Sequence, residues 1–268
     1  MKPVVIFSYT YENGRRGGAV AMNRLAELLI EKGIETYVFP YSNSAEPPTV
    51  KEGIPIAKPE HLQPKEFIGI YPEGFAHPMY APAYSIQWLL YKNEYGQSDN
   101  FNKYYHYAKA YSNGKSELLH VMDVDLDKYS NDGMKREGWS HVYHKNRRAF
   151  LMEEVPAQGS RCVDGMLPTE DDLAAIFNSR ETFYSYDSFS FYSILAALCG
   201  CYSIVNKVPE LSREDYIKQR PFAEHLQYGL DGEKVESQEA KIRAAVREQM
   251  RETDKQIDSL VKDIQDNA

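Results

Sequence analysis

Residues 181–205 read ETFYSYDSFSFYSILAALCGCYSIV, and a strand, a sharp corner, an apolar helix and a second strand can all be read from them. Residues 182–186 alternate and are rich in aromatic side chains, a pattern that suits a pleated, half-buried strand. Asp187 and Ser188 follow, with side chains able to accept hydrogen bonds from the free amides of a first helical turn, so this corner is expected to cap a helix. Residues 189–199 are apolar on nearly every side, which predicts a helix buried between a sheet and other structure. Gly200 closes that helix, and residues 201–205 supply the next strand. A parallel return of this kind places the corner of Tyr186 and Asp187 at the carboxyl end of the sheet, where open α/β folds bind ligands.

The alternation of strand and helix extends outward from this unit. Residues 3–9, PVVIFSY, form a continuous apolar run, as a parallel strand buried on both faces does. A loop with Asn13-Gly14 and Gly17-Gly18 follows, then helical spacing at Val20, Leu25, Leu28 and Leu29, closure at Gly33 and a strand over 34–40. This is how a Rossmann-like domain begins. Gly17 and Gly18 allow backbone amides to approach an anion closely. The loop carries neither the G-x-G-x-x-G of dinucleotide dehydrogenases nor the G-K-[ST] ending of a P-loop kinase, so both classes are disfavoured.

Residues 67–71 predict a strand that runs into PEGFAHPMYAP, whose prolines forbid regular structure and present Glu73 and His77 at the strand's carboxyl end. Residues 83–91 predict a helix, 104–111 either a strand or a helix, and 118–122 a strand entering the acidic DVDLD of Asp123, Asp125 and Asp127. Residues 138–144 predict a strand ending at the basic cluster Lys145, Arg147 and Arg148, and residues 168–178 a helix capped by Thr169. After a short helix over 212–220, a long polar helix begins near Glu236. It carries Val246, Met250, Thr253, Ile257, Leu260 and Ile264 in steps near 3 and 4 along one seam. The expected architecture is α/β: a Rossmann-like domain over 1–130, a second over 131–235 facing it across a cleft, and a C-terminal helix over 236–268. The seam of that helix is expected to clasp the first domain or a second copy of the chain.

The formal net charge of -8 argues against broad nucleic-acid binding, which needs a cationic footprint. Three cysteines form no even framework, and Cys162, Cys199 and Cys201 are read as buried thiols of a reducing cytoplasm. No segment reaches the ~18 apolar residues of a membrane span, and the first residues enter a strand without a leader pattern. His141 and His144 have no third ligand at recognisable spacing, so no zinc site is expected there. The 21 tyrosines are the compositional anomaly, amphipathic rings that stack on sugars while keeping a hydroxyl for hydrogen bonding.

The run D-x-F-S at 187–190, then x-A-x-x-C-G at 195–200 and a short apolar strand, resembles a signature in the C-terminal domain of retaining GT-B glycosyltransferases. S-Y-D-x-F with A-A-L-x-G-C resembles most a branch of small bacterial polysaccharide and lipopolysaccharide glycosyltransferases. The resemblance implies transfer of a sugar from a nucleotide-sugar to a glycan or glycolipid acceptor, without a metal or other cofactor, in the cytoplasm or at the surface of the inner membrane. It implies that Asp187 holds the donor sugar, that Lys145 and Arg147 neutralise the leaving diphosphate with the amides of Ser188 and Phe189, and that Tyr184, Ser185 and Tyr186 line the donor. Gly17-Gly18 resembles the glycine pair of the first domain, and Glu73 and His77 are expected to reach the sugar or acceptor. Leu195 departs from the pattern, since a glutamate that binds the ribose is expected there. Two alternatives stay open: a non-catalytic subunit that binds nucleotide-sugars or glycans, and a GT-A enzyme whose Asp123 and Asp125 hold a divalent cation.

Overall fold

The structure, a computed structural model, describes residues 1–11, 17–41, 48–91, 99–122, 124–143, 159–163, 169–220 and 222–268. Packing divides the chain into two compact units, one of Met1–Asp123 with Gln249–Ala268 and one of Val124–Glu248. Each is built on a parallel sheet flanked by helices, a Rossmann-like arrangement. No helix among the described residues is long and apolar enough to cross a membrane.

The first unit holds β1 (Val4–Tyr9), α1 (Gly17–Glu31), β2 (Thr36–Tyr41), β3 (Ile68–Pro72), β4 (Tyr84–Leu89), β5 (Lys103–His106) and β6 (Glu117–Leu118), with strand order β2-β1-β3-β4-β5-β6. Every neighbouring pair is parallel. Residues 4–7 of β1, VVIF, are apolar throughout because both faces of the strand are covered: Val4 and Ile6 pack with Met22, Leu25 and Leu29 of α1, while Val5 and Phe7 join Phe67, Tyr71 and Phe101.

Where a helix is expected over 83–91, residues 84–89 form β4 instead. Ser85, Ile86, Gln87, Trp88 and Leu89 are all buried, so a strand covered on both sides shows no alternation, and periodicity alone cannot separate it from a buried helix. Residues 104–111 split into β5 and a 3-10 turn at Lys109–Tyr111. The strand expected over 118–122 is confined to Glu117–Leu118. Leu119, Val121 and Met122 are buried without joining the ladder.

The second unit holds β7 (Trp139–Val142), β8 (Arg161–Cys162), α2 (Glu170–Ser179), β9 (Thr182–Ser185), α3 (Tyr192–Leu198), β10 (Tyr202–Val205), α4 (Arg213–Gln219) and β11 (Gln227–Tyr228), in the order β11-β10-β9-β7-β8. Thr169 caps α2 by accepting from the Asp172 amide, and Asp172 returns the bond to Thr169 N–H, a reciprocal capping box. Arg136 donates to the carbonyls of Phe177 and Cys199 and so satisfies the C-terminal ends of both α2 and α3. Gly200, at φ +89°, turns the chain there, and a Cβ on it would press on Asn131 and Arg136. Cys199 and Cys201 are buried, and burial pushes both thiols up to about 12. Cys162 is only half-buried, contrary to the expectation of three buried thiols.

The last helix, α5 (Gln238–Asp266), has its first residues in the second unit and the rest in the first. Val246, Thr253, Ile257, Leu260 and Ile264 are buried as the seam requires, and Ile242 extends it. Met250 does not belong to it: it is 39% exposed, and the seam passes from Val246 to Thr253 in a single heptad step.

Candidate functional site

Strand order decides where each sheet can bind. In the second unit the chain passes from β7 outward to β8, then returns to lay β9 on the other side of β7. In doubly wound sheets such a reversal is the position at which ligands bind, at the carboxyl ends of the two strands, here β7 and β9. Ser185 ends β9, and Tyr186, Asp187 and Ser188 form the corner beyond it. Lys145, Arg147 and Arg148 follow β7 in sequence and lie outside the described residues.

The corner is a tight turn, not a helix cap. Asp187 Oδ1 accepts from the Phe189 amide at 3.0 Å, and the Asp187 carbonyl accepts from Ser185 Oγ at 2.6 Å and the Ser190 amide at 3.0 Å. Helix α3 starts only at Tyr192, so the expected helix over 189–199 is shortened at its front. Short polar side chains satisfy nearby amides in turns as well as in caps, and here the turn wins. The Phe189 amide is spent on Asp187 and is not offered to a phosphate.

Asp187 is 7% exposed, and among the described residues its Oδ2 has no hydrogen-bond partner. A carboxylate fixed through one oxygen and open at the other is an acceptor poised for a ligand hydroxyl. Ser188 Oγ donates to the Asn206 carbonyl at 2.7 Å, which ties the corner to the end of β10. The rings of Tyr184 and Tyr186 are 2% and 0% exposed and meet edge to face, with the Tyr184 hydroxyl donating to Asn206 Oδ1 at 3.1 Å. Ser185 is fully buried. These three side chains, expected to line the donor, are buried beneath the corner.

Residues 212–220, read from sequence only as a short helix, bring two further groups. Tyr216 and Arg220 are buried, and both donate to the Ser188 carbonyl. Arg220 also donates to the Ser190 carbonyl, to Ser193 Oγ at 3.2 Å and to the Tyr216 oxygen at 3.0 Å. Burial pushes the Tyr216 phenol up to about 12; the Arg220 charge opposes that shift, and Asp187 adds to it. Tyr216 lies in α4 and Arg220 just past its end in extended backbone; their spacing of four residues is the one signal by which sequence could have paired them.

The sheet of the first unit has its own reversal, between β1 and β3. Gly17 and Gly18 open α1 just beyond β1, and Glu73 begins the loop after β3. Leu90 joins two of these, because its amide donates to Glu73 Oε2 at 3.1 Å and its side chain lies 3.6 Å from where a Cβ on Gly18 would stand. Gly74 lies against the Tyr9 hydroxyl, where a side chain would collide. His77 is exposed, with its Nδ1 2.8 Å from Asn100 Nδ2.

Asp123 lies outside the described residues. Asp125 Oδ1 accepts from the amides of Asp127 and Lys128, both at 3.0 Å, and these bonds hold its carboxyl below its ordinary pKa. Among the described residues no three His, Cys, Asp or Glu side chains converge as a metal site. No family model matches this chain, and no curated protein does either.

Proposed function

We propose that this chain is a glycosyltransferase of the GT-B class, moving a sugar from a nucleotide-sugar to a glycan or glycolipid acceptor in surface-polysaccharide synthesis, in the cytoplasm or at the surface of the inner membrane. The observation that carries the reading is Asp187: a nearly buried carboxylate with one oxygen pinned and the other open, at the reversal point of a parallel sheet. Cleaving a sugar–phosphate bond builds negative charge on the leaving diphosphate and positive charge on the sugar, so cations are needed on one side and hydroxyl contacts on the other. Asp187 takes a hydroxyl of the sugar. Lys145 and Arg147, following β7, take the diphosphate. Glu73 and His77 serve the acceptor from the loop after β3.

A second reading has its own support. Leu195, 6% exposed, is an apolar core residue of α3 where the resemblance calls for a ribose-binding glutamate, which suits a subunit that binds a nucleotide-sugar or glycan without turning it over. One experiment separates the two: a thermal-shift panel of nucleotide-sugars, followed by donor hydrolysis and transfer assays on whichever stabilises. A ligand at ~100 times its dissociation constant adds about 2.7 kcal/mol. Stabilisation with turnover supports the transferase, stabilisation without turnover supports the binding subunit, and no stabilisation by any nucleotide-sugar removes both.

A further inference from the structure

We infer that Arg220 is the positioning residue of the Asp187 corner, fixing the open carboxylate oxygen by gripping the turn from behind; its role in sugar transfer rests on the function proposed above. Arg220 is 7% exposed, yet among the described residues no carboxylate lies within ion-pair distance of it. A buried guanidinium ordinarily holds its place by pairing with an anion, because desolvating its charge is costly. Here its donors go instead to the carbonyls of Ser188 and Ser190, to Tyr216 and to Ser193.

The two gripped carbonyls flank Phe189, whose amide pins Asp187 Oδ1 and whose ring lies 6.0 Å from the guanidinium carbon. Carbonyls two residues apart can meet one planar fork only if the turn between them keeps a single conformation. Holding that conformation fixes the Phe189 amide, then Oδ1, and through the carboxylate plane Oδ2. Arg220 thus sets the direction of an oxygen it does not touch. A lysine keeps the charge but has no fork, so Arg220→Lys separates geometry from electrostatics.

Amide hydrogen exchange on the protein alone tests the grip. In Arg220→Lys the Phe189 and Ser190 amides are expected to exchange at least about tenfold faster, while Ile194 in α3 and Asn206 after β10 stay within about threefold of wild type. Unchanged exchange at Phe189 and Ser190, or an equal rise at all four, overturns the inference. If the lysine variant does not fold, Arg220→Gln keeps a planar, neutral donor too short to span both carbonyls and leaves in place the Ser193 hydroxyl, which itself donates to the Ser190 carbonyl at 2.6 Å. The glutamine variant should loosen Ser190 in the same way, and unchanged exchange there also overturns the inference.

Where the wild-type protein turns over a donor, a double-mutant cycle adds a functional readout. Arg220→Lys alone is expected to lose about tenfold in kcat/KM, ~1.4 kcal/mol, and to add less than about threefold when Asp187 is already asparagine. Fully additive losses overturn the link to Asp187. A protein that turns over no donor removes the transferase reading and leaves the exchange experiment to decide on Arg220.

Discussion

The hydroxyl of Thr253 donates to the carbonyl of His120 at 2.7 Å, and Gln256 Oε1 accepts from the amide of the same histidine at 2.7 Å. Gln249 approaches that carbonyl as well, at 3.4 Å. Leu119 still donates its amide to the His106 carbonyl at the end of β5, and one residue later the polar side chains of a helix take over the backbone groups of His120. Thr253→Val keeps the shape of the side chain and removes the donor, so it is expected to cost about 1–2 kcal/mol. In a protein of this size that lowers the melting temperature by about 2–4 °C for each kcal/mol. An unchanged melting curve would show that the bond contributes nothing.

Removing residues 249–268 takes away more than polar partners. Ile257, Leu260 and Ile264 are fully buried in the cluster that includes β1 and α1. Each is worth about 1.5–3 kcal/mol of apolar burial. The truncated chain is expected to lose its cooperative thermal transition or to associate through the uncovered surface. Unchanged melting and unchanged mass by light scattering would contradict this.

His120 also makes stability depend on pH. Burial lowers its imidazole pKa from 6.5 to about 3, so the folded protein keeps it neutral where the unfolded chain binds a proton. Stability from this group is full above the unfolded pKa and is lost as pH falls from 6.5 toward 3, at a slope of up to ~1.4 kcal/mol per pH unit. His106 and His225 are lowered in the same direction, also by burial first. Melting temperature should therefore fall between pH 6.5 and 4.5, and His120→Leu should flatten the fall. An identical pH profile in that variant would exclude His120 as its main source.

The parts of the fold legible in sequence are those in which one signal sufficed. PVVIFSY announced a two-faced strand, Gly200 a helix stop, and Thr169 with Asp172 a helix start. The misreadings arose where two structures share a pattern. AYSIQWLLY is apolar enough for either a buried strand or a buried helix, and its place between β3 and β5 decided for strand. Asp187 has the chemistry of a cap and was drawn into a turn, because its partner amide lies two residues on and the helix begins later. Arg220 was illegible for a different reason: it binds carbonyls about thirty residues away, and a carbonyl leaves no trace in the identity of its residue.

Asp187→Asn separates the two oxygens of that side chain. Asparagine retains an oxygen for the Phe189 amide, so the turn and the melting temperature are expected to survive. The open position loses its negative charge and, on the proposed function, the charge-assisted bond to a sugar hydroxyl, roughly twice as strong as a neutral one. Donor turnover is expected to fall at least about tenfold. Asp187→Ala removes both bonds and should add about 1 kcal/mol of destabilisation, the usual worth of such a side-chain-to-amide bond. Wild-type turnover by the asparagine variant would dismiss Asp187 from the chemistry while leaving its part in the turn.

The leaving diphosphate can be neutralised by side chains or by a cation, and the two routes respond oppositely to the same reagents. Asp125 is engaged in a turn, where asparagine would serve the amides of Asp127 and Lys128 as well as aspartate does. If Lys145 and Arg147 supply the positive charge, Asp123→Asn with Asp125→Asn should be tolerated and EDTA should leave turnover largely intact. Lys145→Ala should then lose at least about tenfold in rate, ~1.4 kcal/mol at the barrier. If a cation does the work, removing it removes the Lewis acid, and the developing charge loses its main partner. Turnover abolished by EDTA or by the double aspartate change, with Lys145→Ala near wild type, would transfer the site from the strand end of β7 to the acidic run at 123–127 and replace the GT-B reading with a GT-A one.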